Sequence, residues 1–549
     1  MIFTPKNPAP NITQNPQSWS PANKKGIGTA RSLSSSVWYT VANGIMTEIY
    51  YPDVDSPQVR DLQLIFTDGE TFFHDAQKDF TNKCEWIDSD APTPSPPMGL
   101  RMTSTAIGQP YSYVQEIIGK PQSPCVLVRT TLNGDADLLA KLRVYVLLAP
   151  HMDGIGMSNN AYVAPTANGK RLVANYGNYW LALGADCGFA MTSCGFVGGS
   201  DGWTDIISNR RLPQWSYDAA INGYVALTAE IDRAGKNQFV LALGFCLDEA
   251  TAKTETAPNE ALVNVTEALS YPFDDAAATY SHMQEFLNGW RAPVPAPFVP
   301  RAGVTGDNNR LFNVSRNVLL SHEDKNASGA LVASLSIPWG EVNYDLQCGY
   351  HLVWPRDMSQ SATALLASGD EDTALRGLMF LATSQSPDGS FGQKFFIDGQ
   401  PWPNSAVQLD EFSFPILLAY RLYKLGKLQG FDPKTMVLNA AGAIVTRAPL
   451  TQQERWEEVS GLSPSTLASN IAALVCAADL AASQWRDNVS AQFLLEYADF
   501  LESNLEKWCV TTQGTLVPGI TTHYVRVMPP GNFPNLGHYP DDKIGRAHV

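Results

Sequence analysis

The chain has 549 residues, of which 44% are hydrophobic and 17% charged, and its formal charge is -16 at pH 7. A chain of this length is too long for one hydrophobic core and fits about two or three domains of a globular protein. The acidic excess argues against a nucleic-acid partner, which normally requires a basic face, and favours a neutral substrate.

The eight cysteines are scattered, without a CxxC pair or a cysteine–histidine cluster at metal-ligand spacing. They predict free buried thiols in a reducing compartment. Residues 1–26 contain no apolar signal-peptide core, and no stretch approaches the roughly 18 apolar residues of a membrane span. We therefore expect a cytoplasmic monomer without a membrane partner, or a secreted or periplasmic protein if the N-terminus is incomplete.

Residues 1–272 have the pattern of β-strands. Short runs rich in Val, Leu and aromatic residues, such as DLQLIFTDG, CVLVRTTL and FVLALGF, are bounded by Gly, Asn, Asp and Pro. Their succession without intervening helices predicts a large antiparallel β-sandwich. A helical stretch and the proline-rich joint RAPVPAPFVPRAG follow within 273–303, and we interpret this part as a linker.

From residue 304 the hydrophobic period becomes helical, which predicts an all-α domain over 304–543. The candidate helices are 308–323, 358–368, 371–385, 411–426, 433–447, 464–484 and 488–508. If neighbouring helices run antiparallel, every second helix starts at the same end of the domain. WPRD (354–357), QLDE (408–411) and WEE (456–458) each precede such a helix. All three would then face one mouth, beside the loop 523–537.

Glu457 and Glu458 are adjacent carboxylates ahead of a helix. Acidic residues in this position are often only favourable partners of the helix dipole. Ser463 and Pro464 already supply the cap and the first helical residue, so the two carboxylates are not needed for capping. The indole of Trp456 would exclude water from a neighbouring carboxyl group and favour its neutral form, which suits a general acid. A structural and a catalytic role both stay open at this point.

In WPRD, Arg356 and Asp357 offer donors and acceptors suited to the vicinal hydroxyls of a sugar, and Trp354 offers an apolar face. The alternative is a helix start with Asp357 as its cap and a surface ion pair.

In QLDE, Gln408 and Asp410 point the same way if the segment is extended, and Pro415 is expected to forbid a regular helix much before it. The alternative is again a helix cap. Trp402, a few residues earlier, is either a stacking platform or a packing residue.

Several segments together resemble the glucoamylase and glucodextranase-like glycoside hydrolases: VWYTVANGIMTEIYYPDVDSPQVRDLQLIFTDG, GFVGGSDGWTD, ASLSIPWGE, GYHLVWPRDM, QLDEFSFPI, WEEVSGLSPSTLA and YVRVMPP. The resemblance extends over essentially the whole chain. It implies an N-terminal β-supersandwich followed by an (α/α)6 barrel. It also implies an inverting, exo-acting enzyme that releases glucose from the non-reducing ends of maltooligosaccharides, starch-like glucan or dextran. No cofactor is implied; some relatives hold calcium, but the sequence has no DxDxDG ligand loop.

By this resemblance Glu457 is the general acid that protonates the glycosidic oxygen. Arg356 and Asp357 would hold the outer hydroxyls of the terminal glucose, and Glu458 would bind a sugar in the adjoining subsite. The resemblance also assigns the following side chains to substrate binding: Trp354, Gln408, Asp410, Arg455, Trp456 and Trp402, whose spacing to QLDE departs from the family pattern.

Inversion needs a second carboxylate as a base, about 6.5–9.5 Å from the acid. In the family that base lies near the C-terminal end of the barrel, and the candidate helices are fewer than a complete barrel contains. We therefore expect this chain to lack the base and to be inactive or nearly so, and we interpret IGRAHV (544–549) as a non-native tail. A disaccharide phosphorylase and a noncatalytic carbohydrate-binding protein are the alternatives.

Overall fold

The computed structural model describes residues 4–10, 14–17, 23–90, 93, 95–212, 215–248, 257–275, 277–291, 306–335, 349–403 and 405–529. These residues fall into two compact units. The first lies within Met1–Val294, Val299–Asn326 and Ser334–His351, and the second within Pro295–Phe298, Ala327–Ala333 and Leu352–Val549. The predicted tail 544–549 and residues 292–303 of the predicted linker lie outside the described residues.

Two antiparallel sheets make up most of the first unit. Its strands are β1 (Gly26–Thr29), β2 (Trp38–Ala42), β3 (Ile45–Tyr50), β4 (Pro57–Thr67), β5 (Phe73–Asp75), β6 (Phe80–Trp86), β7 (Leu100–Ala106), β8 (Tyr111–Gly119), β9 (Cys125–Gly134), β10 (Arg143–Pro150), β11 (Asn159–Thr166), β12 (Gly169–Tyr176), β13 (Tyr179–Ala185), β14 (Phe189–Phe196), β15 (Ala219–Gly223), β16 (Val225–Ile231) and β17 (Gln238–Leu247). One sheet has the order β1-β2-β3-β4-β10-β16-β14, with β5 paired to β4. The other has the order β15-β11-β12-β13-β17-β9-β8-β7-β6. This is the β-sandwich architecture that the sequence predicts.

Aromatic side chains fill the space between the two sheets. The rings of Phe66 on β4 and Tyr113 on β8 lie 4.8 Å apart between their centroids. The hydroxyl of Tyr39 on β2 donates a hydrogen bond of 2.7 Å to the backbone oxygen of Ile117 on β8. All four side chains are almost completely buried. Each such apolar side chain contributes roughly 1.5–3 kcal/mol by leaving water, so this layer holds the two sheets together.

The prediction that no helix interrupts the strands was wrong. The helices of the first unit are α1 (Ala136–Lys141), α2 (Gly202–Asn209), α3 (Ala257–Ser270), α4 (His282–Trp290) and α5 (Arg310–Ser321). The first two are too short for a helical period to stand out in sequence, and each starts at an aspartate cap. Asp135 accepts from the backbone N–H of Leu138, and Asp201 accepts from that of Thr204. Helix α3 packs against β13 and β17.

Six helices form the body of the second unit. They are α6 (Pro355–Ala367), α7 (Glu371–Ser384), α8 (Asp410–Lys424), α9 (Lys434–Arg447), α10 (Pro464–Ser483) and α11 (Asn488–Cys509), and two short strands, β18 (Val510–Thr511) and β19 (His523–Tyr524), follow. Helix α8 contacts α6 and α10, whereas α7, α9 and α11 each pack beside these three. Alternate helices therefore form an inner layer and an outer layer, as in the (α/α)6 fold class that the sequence resembles.

Two helix starts differ from the prediction. Helix α6 begins at Pro355, which occupies the first helical position where a missing N–H costs nothing. Helix α8 begins at Asp410, so Pro415 lies inside it and does not mark its start. Pro415 is the sixth residue of α8, and it removes the one bond that a backbone N–H at this position would donate to the carbonyl of Glu411.

Helix α10 is the one described helix that is long and apolar enough, by length and composition, to cross a membrane. This corrects the sequence expectation that no stretch approaches such a composition. Half of the apolar window is buried inside the second unit. Asn470 in the middle of α10 is buried and accepts a hydrogen bond of 2.8 Å from the hydroxyl of Ser413 on α8. The helix is thus packed through both apolar and polar contacts.

Candidate active site

The segments WPRD, QLDE and WEE meet at one place in the second unit. They are joined by side-chain hydrogen bonds between residues 52 to 103 positions apart in the chain. Ser463 caps α10 by accepting from the backbone N–H of Thr466, as the sequence predicts. The carboxylates of WEE therefore stand outside the helix cap and are available for other contacts.

Arg356 is the centre of a buried polar group that we call the arginine cluster, consisting of Arg356, Gln408, Asp410 and Glu411. Its Nη1 lies 2.9 Å from Gln408 Oε1, 3.0 Å from Asp410 Oδ2 and 2.8 Å from Glu411 Oε1. Glu411 also accepts a hydrogen bond of 2.5 Å from the backbone N–H of Arg356. The first turns of α6 and α8 are thus connected through both the side chain and the backbone of one arginine.

The arginine cluster holds two buried carboxyl groups for one guanidinium. Burial raises the pKa of Glu411 well above its usual value, although Arg356 opposes this shift. Burial lowers the pKa of Arg356, but the carboxylates of Glu411 and Asp410 more than offset this and raise it overall. Asp410 Oδ1 is buried and accepts no hydrogen bond from the described residues. A buried acceptor of this kind is costly unless a ligand or water supplies a donor.

Glu457 lies in a segment that we call the acid loop, residues 453–458. Its backbone has a φ of 64°, in the left-handed region that a residue with a Cβ seldom adopts. The carboxylate of the buried Glu454 supports this turn from inside. It accepts from the backbone N–H of Trp456 at 2.9 Å and from that of Glu458 at 3.4 Å. The two residues that flank Glu457 are therefore fixed by one side chain.

The carboxyl group of Glu457 contacts the indole of Trp354, whose Nε1 donates to Oε1 over 2.9 Å. The sequence predicted that Trp456 would shield an acid of this pair, but the Trp456 side chain is 60% exposed. An indole N–H can only donate, so Oε1 must act as an acceptor here. A proton on this carboxyl group is then carried by Oε2. The geometry can present one defined oxygen as a proton donor.

Glu458, Arg455 and Trp456 form the exposed side of the acid loop. The guanidinium of Arg455 lies 5.4 Å from the centroid of the Trp456 ring. Glu458 Oε2 is 2.6 Å from Nη2 of Arg526, which also lies 2.5 Å from Glu454 Oε1. Arg526 belongs to the predicted loop 523–537, whose residues from 530 onward lie outside the described part of the chain. An exposed indole and a paired carboxylate suit contact with a sugar ring.

Trp402 also lies near the group. The ammonium of Lys394 is 5.0 Å from the ring centroids of both Trp354 and Trp402. Trp402 additionally packs against Phe396, with 5.1 Å between ring centroids. Trp402 thus packs within the unit, and Lys394 lies between it and Trp354. Its role as a stacking platform for a sugar stays a prediction.

Asp357 is half exposed, and its Oδ2 lies 3.5 Å from Nη2 of Arg356. It occupies the first turn of α6 and is not the cap, because the residue before the helix is Trp354. The alternative in which Asp357 caps a helix is therefore wrong. Its exposed carboxylate, on the edge of the buried arginine cluster, can accept hydrogen bonds from a ligand.

Four contributors to this geometry were missed from the sequence: Glu411, Glu454, Gln453 and Arg526. Glu411 stands inside QLDE and Glu454 directly before RWEE, but neither has a spacing that distinguishes it from an ordinary surface acid. Both are almost completely buried. A charged residue in an apolar stretch can be recognised as buried only when its ion-pair partner is known. The partners of Glu411 and Glu454 come from other loops.

No group of three or more His, Cys, Asp or Glu side chains suited to hold a metal ion occurs among the described residues. The described cysteines are free thiols, and Cys348 lies outside the described part. The polar side chains that meet at this place include carboxyl groups, amides and the guanidinium groups of Arg356, Arg455 and Arg526.

Comparison with known proteins identifies the family. Residues 9–292 match the model of the glucodextranase N domain, and residues 309–527 match the model of glycosyl hydrolases family 15. The chain is 32% identical over 511 residues to a glucoamylase of Clostridium sp. (strain G0005). This alignment covers 93% of this chain and 68% of that protein. It also aligns with the crystal structure of a bacterial glucoamylase complexed with acarbose, at a TM-score of 0.84 and 31% identity over 95% of this chain and 73% of that one. The chain therefore belongs to glycosyl hydrolase family 15 and is a glucoamylase-like, glucan-degrading glycoside hydrolase.

Proposed function

We propose that the site removes single glucose units from the non-reducing ends of α-glucans by inverting hydrolysis, with Glu457 as the general acid. The observation that carries the proposal is the contact between Trp354 Nε1 and Glu457 Oε1 at 2.9 Å. It leaves one oxygen of Glu457 to hold and deliver a proton, and Trp354 stands two residues before Arg356 of the arginine cluster in the chain. General acid catalysis needs a donor of this kind within hydrogen-bond reach of the leaving oxygen.

The arginine cluster is the proposed binding site of the terminal glucose. Asp410 Oδ1 is a buried acceptor that a sugar hydroxyl can satisfy, and Asp357 offers a second carboxylate at the edge. Hydrogen-bonding groups that are left unpaired in the free protein reject analogues that lack the matching hydroxyl. Glu458, Arg455 and Trp456, which are exposed, are proposed to contact the next sugar of the chain.

The base required for inversion is not assigned to any described residue. Acid–base hydrolysis uses only carboxyl groups and water, so the proposed reaction calls for no cofactor. A glucan substrate is neutral, which agrees with the acidic composition of the chain.

Calorimetric titration with acarbose tests the binding part of the proposal. We expect one acarbose per chain and a loss of affinity of tenfold or more in Glu457→Gln, because acarbose carries an amine at the position of the scissile oxygen. The same substitution keeps the acceptor for Trp354, so thermal stability should not change. An unchanged affinity in the variant would contradict the role of Glu457.

Hydrolysis of maltotriose, followed by NMR with and without phosphate, tests the reaction. Where hydrolysis occurs, β-glucose is expected to be the anomer that forms first. Glu457→Gln should lower the rate of hydrolysis by about 10²–10⁴. First-formed α-glucose would contradict inversion, and glucose 1-phosphate would indicate a phosphorylase. A normal rate for this chain would contradict the sequence expectation that it lacks a base.

A further inference from the structure

The side chain of Gln453, the first residue of the acid loop, lies between Gln408 of the arginine cluster and Glu457. Its Nε2 donates to the backbone oxygen of Glu457 at 3.1 Å. Its Oε1 accepts from Gln393 Nε2 at 3.1 Å and from Gln408 Nε2 at 3.4 Å. The side-chain amide of Gln453 therefore donates towards Glu457 and accepts from Gln393 and Gln408.

The orientation of both amides in this chain of hydrogen bonds is fixed by their neighbours. The guanidinium of Arg356 can only donate, so Gln408 must direct Oε1 towards it and Nε2 towards Gln453. The backbone oxygen of Glu457 can only accept, so Gln453 must direct Nε2 towards it. The donors thus point in one direction, from Arg356 through Gln408 and Gln453 to Glu457. Reversing either amide would put two donors or two acceptors face to face.

These hydrogen bonds and the chain segment from Trp354 to Arg356 together form a closed circuit. Glu457 accepts from Trp354 at 2.9 Å, and Trp354 stands two residues before Arg356 in the chain. The carbonyl that Gln453 holds belongs to the residue whose φ is 64°. A left-handed residue with a full side chain costs about 1 kcal/mol or more and persists only when its surroundings fix it. Gln453 is one of the contacts that fix it.

We infer that Gln453 is a positioning residue that couples binding in the arginine cluster to the orientation of the acid Glu457. The inference rests on the proposed function and adds a residue that no sequence motif of the site contains. A sugar hydroxyl that binds Asp410 and Arg356 orders the start of the circuit, which consists of Arg356 and Gln408. The ordered circuit then stabilises the turn at Glu457, so the acid is held most firmly when the terminal sugar is in place.

The test is Gln453→Glu, which keeps the size and the acceptor but replaces the donor by an oxygen that faces the carbonyl of Glu457. We expect acarbose affinity to fall about tenfold or more, since the partly buried backbone oxygen of Glu457 loses its donor and faces a carboxylate oxygen instead. Affinity for maltose, which has no amine opposite Glu457, should fall less. Gln453→Met removes both hydrogen-bonding groups without adding charge. It should also lower the affinity for acarbose more than the affinity for maltose.

Gln452→Glu is the matched control. It adds the same charge one residue earlier, at an exposed side chain whose Oε1 accepts from the backbone N–H of Val407 at 3.0 Å and is retained. We expect acarbose affinity within about twofold of the parent protein. Thermal unfolding of all variants separates loss of fold from loss of positioning.

A double-substitution cycle decides how Gln453 acts. If it acts through Glu457, Gln453→Glu should weaken acarbose binding much less in a Glu457→Gln background than alone. Equal losses in both backgrounds, or a loss no greater than that of Gln452→Glu, would overturn the inference. Failure of the parent protein to bind acarbose would instead overturn the proposed function, so the two failures are distinguishable.

Discussion

Each unit of this protein buries charged side chains, but in different ways. In the first unit Lys24 and Glu48 form an ion pair with no exposed side-chain surface, and Glu48 also accepts from the hydroxyl of Thr40 at 3.1 Å. In the second unit Arg356 faces two buried carboxyl groups, and Asp410 Oδ1 has no donor among the described residues. The first arrangement has one charge of each sign, whereas the second has two carboxyl groups for one guanidinium. Each leaves one buried carboxylate oxygen, Glu48 Oε1 or Asp410 Oδ1, without a donor among the described residues.

We propose that this difference in charge balance separates a structural group from a functional one. A buried pair with matched charges adds little to stability. A buried group with more carboxyl groups than cations is destabilised in the free protein, and part of that cost is recovered when a ligand supplies hydrogen-bond donors. The proposed sugar site is a group of this second kind. The following substitutions test whether this contrast holds.

The largest effect is expected for Arg356→Ala. It leaves Asp410 and Glu411 buried without a cation, which should lower the free energy of unfolding by about 3–5 kcal/mol. Acarbose binding should be lost. Urea unfolding and calorimetry measure the two effects, and Arg356→Lys, which keeps the charge but not the planar fork, is the control that should recover part of the stability. Normal acarbose affinity in Arg356→Ala would show that the cluster is only structural.

Lys24→Met should destabilise the first unit to a similar degree, about 3–5 kcal/mol, because Glu48 then stays buried alone. Hydrogen exchange of peptides from β2 and β3 should detect the loss locally. The double variant Lys24→Met/Glu48→Leu should recover most of it, since a buried pair can often be replaced by apolar side chains. Acarbose affinity should be unchanged in the single and the double variant. A change would contradict the interpretation that the Lys24–Glu48 pair is structural.

A pH-dependent effect of intermediate size is expected at Asp55 in the first unit. Burial, and then the nearby carboxylates of Asp53 and Asp324, raise its pKa to about 7 from 3.8. A carboxyl group whose pKa is raised by folding loses its stabilising contribution as the pH rises from about 4 to about 7. Asp55→Asn should therefore match the parent protein near pH 4 and exceed its stability by about 1–2 kcal/mol above pH 7. An equal difference at both pH values would contradict the assignment.

The smallest effect is expected for Trp456→Ala. Because this side chain is 60% exposed, its loss should change the free energy of unfolding by no more than about 0.5 kcal/mol. Affinity for maltotriose should fall several-fold, while affinity for glucose should stay constant. A stability loss well above this size would mean that Trp456 is a packing residue and not a sugar contact.

Much of the architecture could be predicted from local sequence. The sandwich, the six helices α6 to α11 and the proximity of WPRD, QLDE and WEE follow from hydrophobic period and from the alternation of antiparallel helices. Ser463 and Pro464 marked the start of α10 correctly, because a cap and a first-turn proline act within a few residues. Helices α1 and α2 could not be predicted, since they are too short to show a period.

The sequence by itself determined which side chains are candidates for the proposed chemistry, because residue type and helix starts are local properties. Only the tertiary structure decided how they are paired: that Trp354 and not Trp456 meets Glu457, and that Glu411 holds Arg356. The same is true of Gln453, which joins two loops. These contacts link distant parts of the chain, and a hydrogen bond leaves no periodic trace in the sequence of either partner. Buried polar groups must nevertheless be satisfied, so once the helices are packed, the choice of partners is strongly constrained.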